Sequence, residues 1–329
     1  MNNIICIAGP TASGKTALAV ELAKSFNGEV VSCDSMQVYK YMDIGTAKPT
    51  AEEMQGIPHH MIDVAEPDED FSVSRYCELA TPIVDDILSR GKTAIIAGGT
   101  GLYMDSLIRG NDFAPTPATG HRQRLEEKLN AVGLDAMLAE LSAIDPEAVE
   151  RSQRNPRRII RALEVYYETG ETITAHNLRT QAIPPRYSPL WLGLDFDPRQ
   201  ALYDRIDLRV GLMLEMGLME EIKALLASGI PADCTAMQAI GYKEFVDALA
   251  GNGTVEEAAD QVRQSSRRYA KRQLTWFRRN KDMNWLVRHD GETGEEIIER
   301  ARQLILKTDN LKMLDYGYPK FKERGTTYV

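Results

Sequence analysis

The sequence predicts an α/β protein, a parallel β-sheet flanked by helices, interrupted in the chain by an all-helical insertion. Three observations predict it. Short apolar runs alternate with helical periodicity over the first ~110 residues. Strand signals then vanish between about Pro115 and Pro185, and a new apolar run at Leu190–Phe196 resumes the strand pattern.

Taken in order, Asn3–Ala8 is a short apolar strand that leads through a Gly-rich turn into a helix from about Lys15 to Phe26. Glu29–Ser32 reads as a second strand, with Asp34 at its end. Ser72 can cap a helix running to about Arg90, whose face of Tyr76, Leu79, Ala80, Ile83, Val84 and Ile87 has helical spacing. Gly91 stops it, and Pro82 should kink it. Thr93–Ala97 is a buried strand ending in Gly98-Gly99-Thr100-Gly101. Short helices rich in Arg, Glu and Leu follow, bounded by proline-containing joints at 114–117 and 183–185. Beyond Leu190–Phe196, Asp197-Pro198 opens a helix with proline at its first position, lined on one face by Leu202, Ile206, Val210 and Met213. A long helix at about Val255–Asn280, a strand at Asn284–Val287 and a helix near Gly294–Leu306 complete the pattern. The expected division is a core over 1–114 and 188–315, a helical insertion over 115–187, and a polar tail over 316–329.

Of 329 residues, 43% are hydrophobic and 26% charged, the balance of a soluble globular chain. No apolar run approaches the ~20 residues that cross a bilayer, so no membrane partner is expected. The start lacks a charged leader and a small-residue cleavage site, and reads as a first strand rather than a signal peptide. Cys6, Cys33, Cys77 and Cys234 are far apart with no C-x-x-C pair. That spacing argues against zinc and disulfides and favours a reducing cytosol. The net charge of −9 does not advertise nucleic-acid binding, yet two basic islands interrupt it. Arg151–Arg161 holds five arginines and no acid, and Gln261–Lys281 holds eight basic residues and no acid.

Gly9-Pro10-Thr11-Ala12-Ser13-Gly14-Lys15-Thr16 matches G-x-x-x-x-G-K-[ST] at every defined position, between an apolar strand and a helix. It makes the core P-loop NTPase-like. Backbone N–H groups would cradle phosphate oxygens, Lys15 would neutralise charge, and the Thr16 hydroxyl would reach a magnesium ion. Hydrolytic P-loop proteins also end an apolar strand in an acid. Thr93–Ala97 ends in Gly-Gly-Thr instead, which points away from hydrolysis. Asp34, at the same sheet edge as the P-loop, can accept a proton or orient an amine.

These residues resemble the tRNA dimethylallyltransferase (tRNA isopentenyltransferase) family. The resemblance rests on GPTASGKT (9–16), VVSCDSMQVY (30–39), DIGTAKP (43–49), PHHMID (58–63), GGTGLY (98–103), NPRRIIRALEV (155–165), TAMQAIGYKE (235–244) and RRYAKRQLTWFR (267–278), in family order over roughly residues 4–290. It implies transfer of a dimethylallyl group from dimethylallyl diphosphate to the exocyclic amine of adenosine 37, beside the anticodon of tRNA, with diphosphate released. By that resemblance Asp34 is the general base, Thr100 lies near the reacting groups, and Arg209 helps hold the diphosphate with Lys15, Thr16 and magnesium. Arg205, one helical turn before Arg209, could support it. Ser35, Met36 and Gln37, with Asp34 and Thr100, fall where the family contacts tRNA, as do Arg122, Arg157, Arg158 and Arg161. The target adenosine is expected to flip out of the anticodon loop into a channel between core and insertion. In the 261–281 segment Tyr269, Trp276 and Phe277 could stack on bases, although Leu274 and Phe277 at helical spacing suit the core better.

Other readings use the same motif. A P-loop small-molecule kinase would use Asp34 on a hydroxyl, and an adenylate dimethylallyltransferase would prenylate a free nucleotide. A non-catalytic RNA-binding protein with a vestigial P-loop would not keep Lys15, Thr16, Asp34 and Arg209. His59 and His60 read as structural as readily as reactive, and Tyr242 and Lys243 receive no chemistry from the sequence. An active site complete in one chain suits a monomer.

Overall fold

The computed structural model describes residues 4–111 and 119–308. The expected polar tail over 316–329 and the joint at 114–117 lie outside the described residues. The described residues divide into two compact units, one of 4–105 with 187–308, the other of 106–111 with 119–186.

In the first unit the order is β1 (Ile4–Ala8), α1 (Lys15–Ser25), β2 (Gly28–Ser32), α2 (Ala51–Met54), β3 (His59–His60), α3 (Val73–Ser89), β4 (Thr93–Gly98) and α4 (Gly101–Arg109), whose last turn belongs to the second unit. The second unit contributes α5 (His121–Ile144), α6 (Pro146–Ser152), α7 (Pro156–Thr169) and α8 (Ile173–Gln181). The first unit resumes with β5 (Leu190–Asp197), α9 (Arg199–Glu215), α10 (Leu218–Ala227), α11 (Lys243–Leu249), α12 (Val255–Phe277), β6 (Met283–His289) and α13 (Gly294–Lys307).

Among the described residues the strands form one six-stranded sheet in the order β3-β2-β4-β1-β5-β6, every pairing parallel. The expected parallel α/β core is borne out. β1, β2 and β4 are buried from end to end, so their sequences are apolar runs rather than alternations. Ile5, Ile7, Val30, Ile95 and Leu192 pack with Leu18 and Leu22 of α1 and Ile297 and Ile305 of α13. Three chain reversals, after β1, β2 and β4, fall at the carboxyl ends of neighbouring strands, where open α/β sheets place their ligands. The second unit closes its own core from Leu125, Met137, Leu141, Ile159 and Leu163.

Some local expectations change. Pro198 is the N-cap of α9, which starts at Arg199, because extended dihedrals (φ −75°, ψ 153°) keep proline outside the first turn. Pro82 lies inside α3, which runs through it as one helix. Met213 is half-buried, while Leu202, Ile206 and Val210 are buried. β3 is only two residues long, held by pairing His59 and His60 with Val30 and Val31.

Glu29 of β2 is 3% exposed and meets two cations and an imidazole: Arg90 at 2.5 and 2.9 Å, Lys92 at 2.6 Å, and His60 Nε2 at 2.9 Å. Arg90 above all holds the Glu29 carboxyl well below the usual carboxylate range. A depressed folded-state pKa stabilises fully above the unfolded value of ~4.3 and is lost as pH falls through the folded one. Glu29→Gln is therefore expected to cost about 1–3 kcal/mol at neutral pH. Urea titrations should show the gap between parent and variant narrowing below pH ~4. Equal stability at pH 7 would contradict it.

Candidate active site

The P-loop is built by strand burial and two left-handed residues. After β1 the chain turns at Gly9, where a Cβ would stand 3.0 Å from both Leu194 Cβ and Ser13 Oγ. Ala12 (φ 61°) and Gly14 (φ 91°) then curl the loop, and Gly14 is the N-cap of α1 and offers no side-chain cap. The first N–H groups of α1 are thus left for an anion, with the helix dipole behind them. Lys15 Nζ donates to the Pro10 carbonyl at 2.7 Å, and burial draws its pKa down to about 8 against the pull of Asp34.

Two arginines of α9 close the loop from outside. Arg209 donates to Thr11 Oγ1 at 3.4 Å, and Arg205 Nε to the Ala12 carbonyl at 2.8 Å. Burial lowers the pKa of both; the neighbouring Arg205 lowers Arg209 further, while Glu53 and Asp34 oppose. Ala12 itself packs with Leu202 and Ile206 of α9 and Ala270 and Leu274 of α12. The expected buried role of Leu274 and Phe277 holds.

Asp34 sits on the next reversal. Its Oδ1 accepts from the N–H groups of Met36 (2.9 Å) and Gln37 (3.4 Å), an Asx-type turn that fixes the carboxylate. No hydrogen bond from a described residue engages its Oδ2. The third reversal is pressed against this one. Thr100 N–H donates to the Cys33 carbonyl at 3.2 Å, and Thr100 Oγ1 accepts from Ser35 N–H at 3.0 Å. A Cβ on Gly98 would land on the Cys33 carbonyl, so only glycine permits this backbone approach. The Gln37 amide is spent inside its own loop, on Ser32 Oγ at 3.0 Å and the Thr46 and Ala47 carbonyls at 3.3 and 3.0 Å. Met36 is half-buried.

Two residues of this site escaped the sequence reading. Gln273 of α12 joins the P-loop to the third reversal: its Oε1 accepts from Thr11 N–H at 3.0 Å, and its Nε2 donates to the Gly99 carbonyl at 3.0 Å. Glu221 of α10 gathers the N–H groups of Asp43, Ile44 and Gly45 (2.8, 2.7 and 3.2 Å) and the Tyr242 hydroxyl (2.6 Å). Tyr242, left unassigned by the sequence, lies over Gly45 and helps pin the DIGTAKP segment. A polar residue on an otherwise buried helix face was the available signal for Gln273. Glu221 gave none.

In the second unit Arg151, Arg157, Arg158 and Arg161 line one surface cavity with Ala148, Ile173, Thr174 and Asn177. Asn155 caps α7 through the Arg157 and Arg158 N–H groups, and Ile159 and Leu163 turn inward. The acid-free run is not acid-free in space: Arg151 meets Glu147, Arg154 meets Asp135 at 2.6 Å, and Arg161 meets Glu164 at 2.8 Å. Arg122 likewise meets Glu126 at 3.3 Å, while Arg157 has no side-chain partner among the described residues. Arg263 and Arg267 of α12 and its C-cap Arg278 pair with Asp260, Asp207 and Asp195. Trp276 donates to Asp105 at 2.9 Å.

No group of three or more His, Cys, Asp or Glu side chains that could cage a metal occurs among the described residues. Magnesium needs no such cage, since it keeps waters and binds through one or two protein oxygens plus substrate phosphates. Thr16 in the first turn of α1 and the buried, unpartnered Ser13 hydroxyl suit that arrangement.

The family model described as IPP transferase matches residues 37–280. The tRNA dimethylallyltransferase of Acetivibrio thermocellus is 46% identical over 307 residues, covering 93% of this chain and 98% of that one. That of Halalkalibacterium halodurans is 47% identical over 298 residues, covering 90% and 94%. The crystal structure of full-length tRNA isopentenylpyrophosphate transferase from Bacillus halodurans superposes with a TM-score of 0.70 at 45% identity, covering 93% of this chain and 96% of that one. A eukaryotic dimethylallyltransferase acting on tRNA gives 0.80 at 29% identity, covering 95% and 82%. The chain belongs to the tRNA dimethylallyltransferase family, the prenyltransferases that the IPP transferase model describes.

Proposed function

We propose that this enzyme transfers the dimethylallyl group of dimethylallyl diphosphate to the exocyclic amine of adenosine 37 in the anticodon loop of tRNA, yielding N6-dimethylallyladenosine and diphosphate. The observation that carries this reading is the convergence of a P-loop, two arginines and one carboxylate, with Asp34 electrostatically felt by both Lys15 and Arg209. A phosphate cradle beside a carboxylate suits a reaction in which diphosphate leaves and a proton is taken up.

The uncapped start of α1, Lys15 and Arg209 hold the diphosphate and stabilise the charge it gains as the C1–O bond breaks. The adenine nitrogen forms the new bond to C1, and its proton passes to Asp34. Thr100, tied to Ser35, keeps the Asp34 turn and the reacting groups in register. Thr16 would hold a magnesium ion, which when bound would supply further neutralisation of the leaving group's charge. Ser35, Met36 and Gln37 face the RNA as a loop. Arg122, Arg157, Arg158 and Arg161 contact its phosphates, and such contacts position RNA without reading its sequence.

No helix among the described residues is long and apolar enough to cross a membrane, and all four cysteines are free thiols. Both facts support a cytoplasmic enzyme, and a catalytic set gathered within one unit supports a monomer. The test is single-turnover transfer of labelled dimethylallyl diphosphate to tRNA with magnesium, with AMP as parallel acceptor. Label in tRNA and not AMP is expected. Label in AMP alone would move the acceptor to a free nucleotide, and ATP-dependent phosphorylation without prenyl transfer would replace the reading by a kinase.

A further inference from the structure

Gln273 bridges two glycine turns that come from different strands. On one side it meets Thr11 N–H, an obligate donor; on the other it meets the Gly99 carbonyl, an obligate acceptor. Only a side chain with an acceptor and a donor at one end satisfies both. The residue is 5% exposed, so neither bond has water as a substitute. Its support is rigid. Ala270 and Leu274 of α12 pack against α9 and Ala12, and Arg267 one and a half turns earlier pairs with Asp207 of α9 at 2.6 Å. A Cβ on Gly99 would strike the Gln273 amide, which gives the second glycine of this turn its reason. Tyr269, one turn before Gln273 on the same face, adds hydroxyl contacts to the Thr100 and Gln273 side chains.

We infer that Gln273 is a positioning residue that sets the distance between the diphosphate cradle and the general-base turn. The inference rests on the transfer reading above. The path is continuous: Thr11 N–H to Gln273, Gln273 to the Gly99 carbonyl, Thr100 to Ser35, and Ser35 to its neighbour Asp34. The reaction needs the breaking C1–O bond and the attacking nitrogen in line, one held by the P-loop and the other by the Asp34 turn. Misplacement of ~1 Å between such groups costs on the order of 100-fold in rate. The Thr11 N–H, committed to Gln273, is at the same time withdrawn from the donors available to the diphosphate.

The test compares Gln273→Met and Gln273→Glu with the parent in the full-length enzyme, using anticodon-containing tRNA and dimethylallyl diphosphate. Gln273→Met, which fills the space without either bond, is expected to lower kcat roughly 10- to 100-fold with KM for tRNA little changed. Gln273→Glu sets a carboxylate against the Gly99 carbonyl at pH 8. On acidification its protonated form regains one donor and one acceptor, so its kcat relative to the parent should climb as pH falls toward 6. A packing role alone would leave both variants with pH-independent ratios. Gln273→Met with parental kcat, or a Gln273→Glu ratio flat from pH 8 to 6, would overturn the inference. If Gln273→Met does not fold, the Gln273→Glu profile decides alone. Failure of the parent to prenylate tRNA in the same assay would count against the transfer reading instead.

Discussion

Replacing Asp34 with asparagine is expected to lower the rate of prenyl transfer by roughly 10²–10⁴-fold while leaving tRNA affinity within a few-fold of the parent. Asparagine is the informative variant because it separates the two tasks of this side chain. Its amide oxygen can still accept from the Met36 and Gln37 N–H groups, so the turn that carries Ser35 to Thr100 survives. What it loses is the capacity to take a proton. An adenine amine is a poor nucleophile because its lone pair is delocalised into the ring. Its protons become acidic only as the bond to C1 forms, when a carboxylate helps most. Asp34→Ala also removes the turn acceptor and should fall further. Near-parental single-turnover rates for Asp34→Asn would sink the general-base assignment and leave Asp34 as a loop-shaping residue.

Legibility in the sequence followed the range of the interactions. The P-loop was readable because its requirements are local: a buried strand, glycines where φ is positive or a neighbour is close, and a helix whose first N–H groups stay open. The strands Thr93–Ala97 and Leu190–Phe196 were readable because strands buried on both faces are continuous apolar runs. β3 was not, since two residues carry no period, and only pairing with Val30 and Val31 makes them a strand. The arginine run at 151–161 was misjudged for a related reason. Absence of acids in the run said nothing about Glu147, Asp135 and Glu164, which reach it from the neighbouring turn, another helix and the next turn of α7. Gln273 and Glu221 lie at the far end of this scale. Each bonds backbone groups more than 170 residues away, and no spacing rule encodes such a partner. The chemical groups of the site were thus visible in the chain, whereas the struts that fix their separation belong to tertiary structure.

Lys15 offers the other large effect, and it comes with a sign. Burial draws its pKa to about 8 in the ligand-free protein, below the usual lysine range. Below pH 8 the ammonium is present to meet a diphosphate; above it the cradle loses that charge. kcat/KM for dimethylallyl diphosphate reports the free enzyme, so it should decline as pH rises through about 8. Lys15→Ala should fall roughly 10²–10³-fold below the parent at pH 7, as for loss of one preorganised donor to a developing anion. It should also lack the alkaline decline. The neighbours predict where the limb moves. Asp34 holds the proton on Lys15 and Arg209 repels it. Asp34→Asn should therefore shift the limb to lower pH and Arg209→Ala to higher pH, even where each slows the reaction. A limb that persists in Lys15→Ala, or that moves the same way in both neighbour variants, would assign the titration to another group and remove Lys15 from the diphosphate cradle.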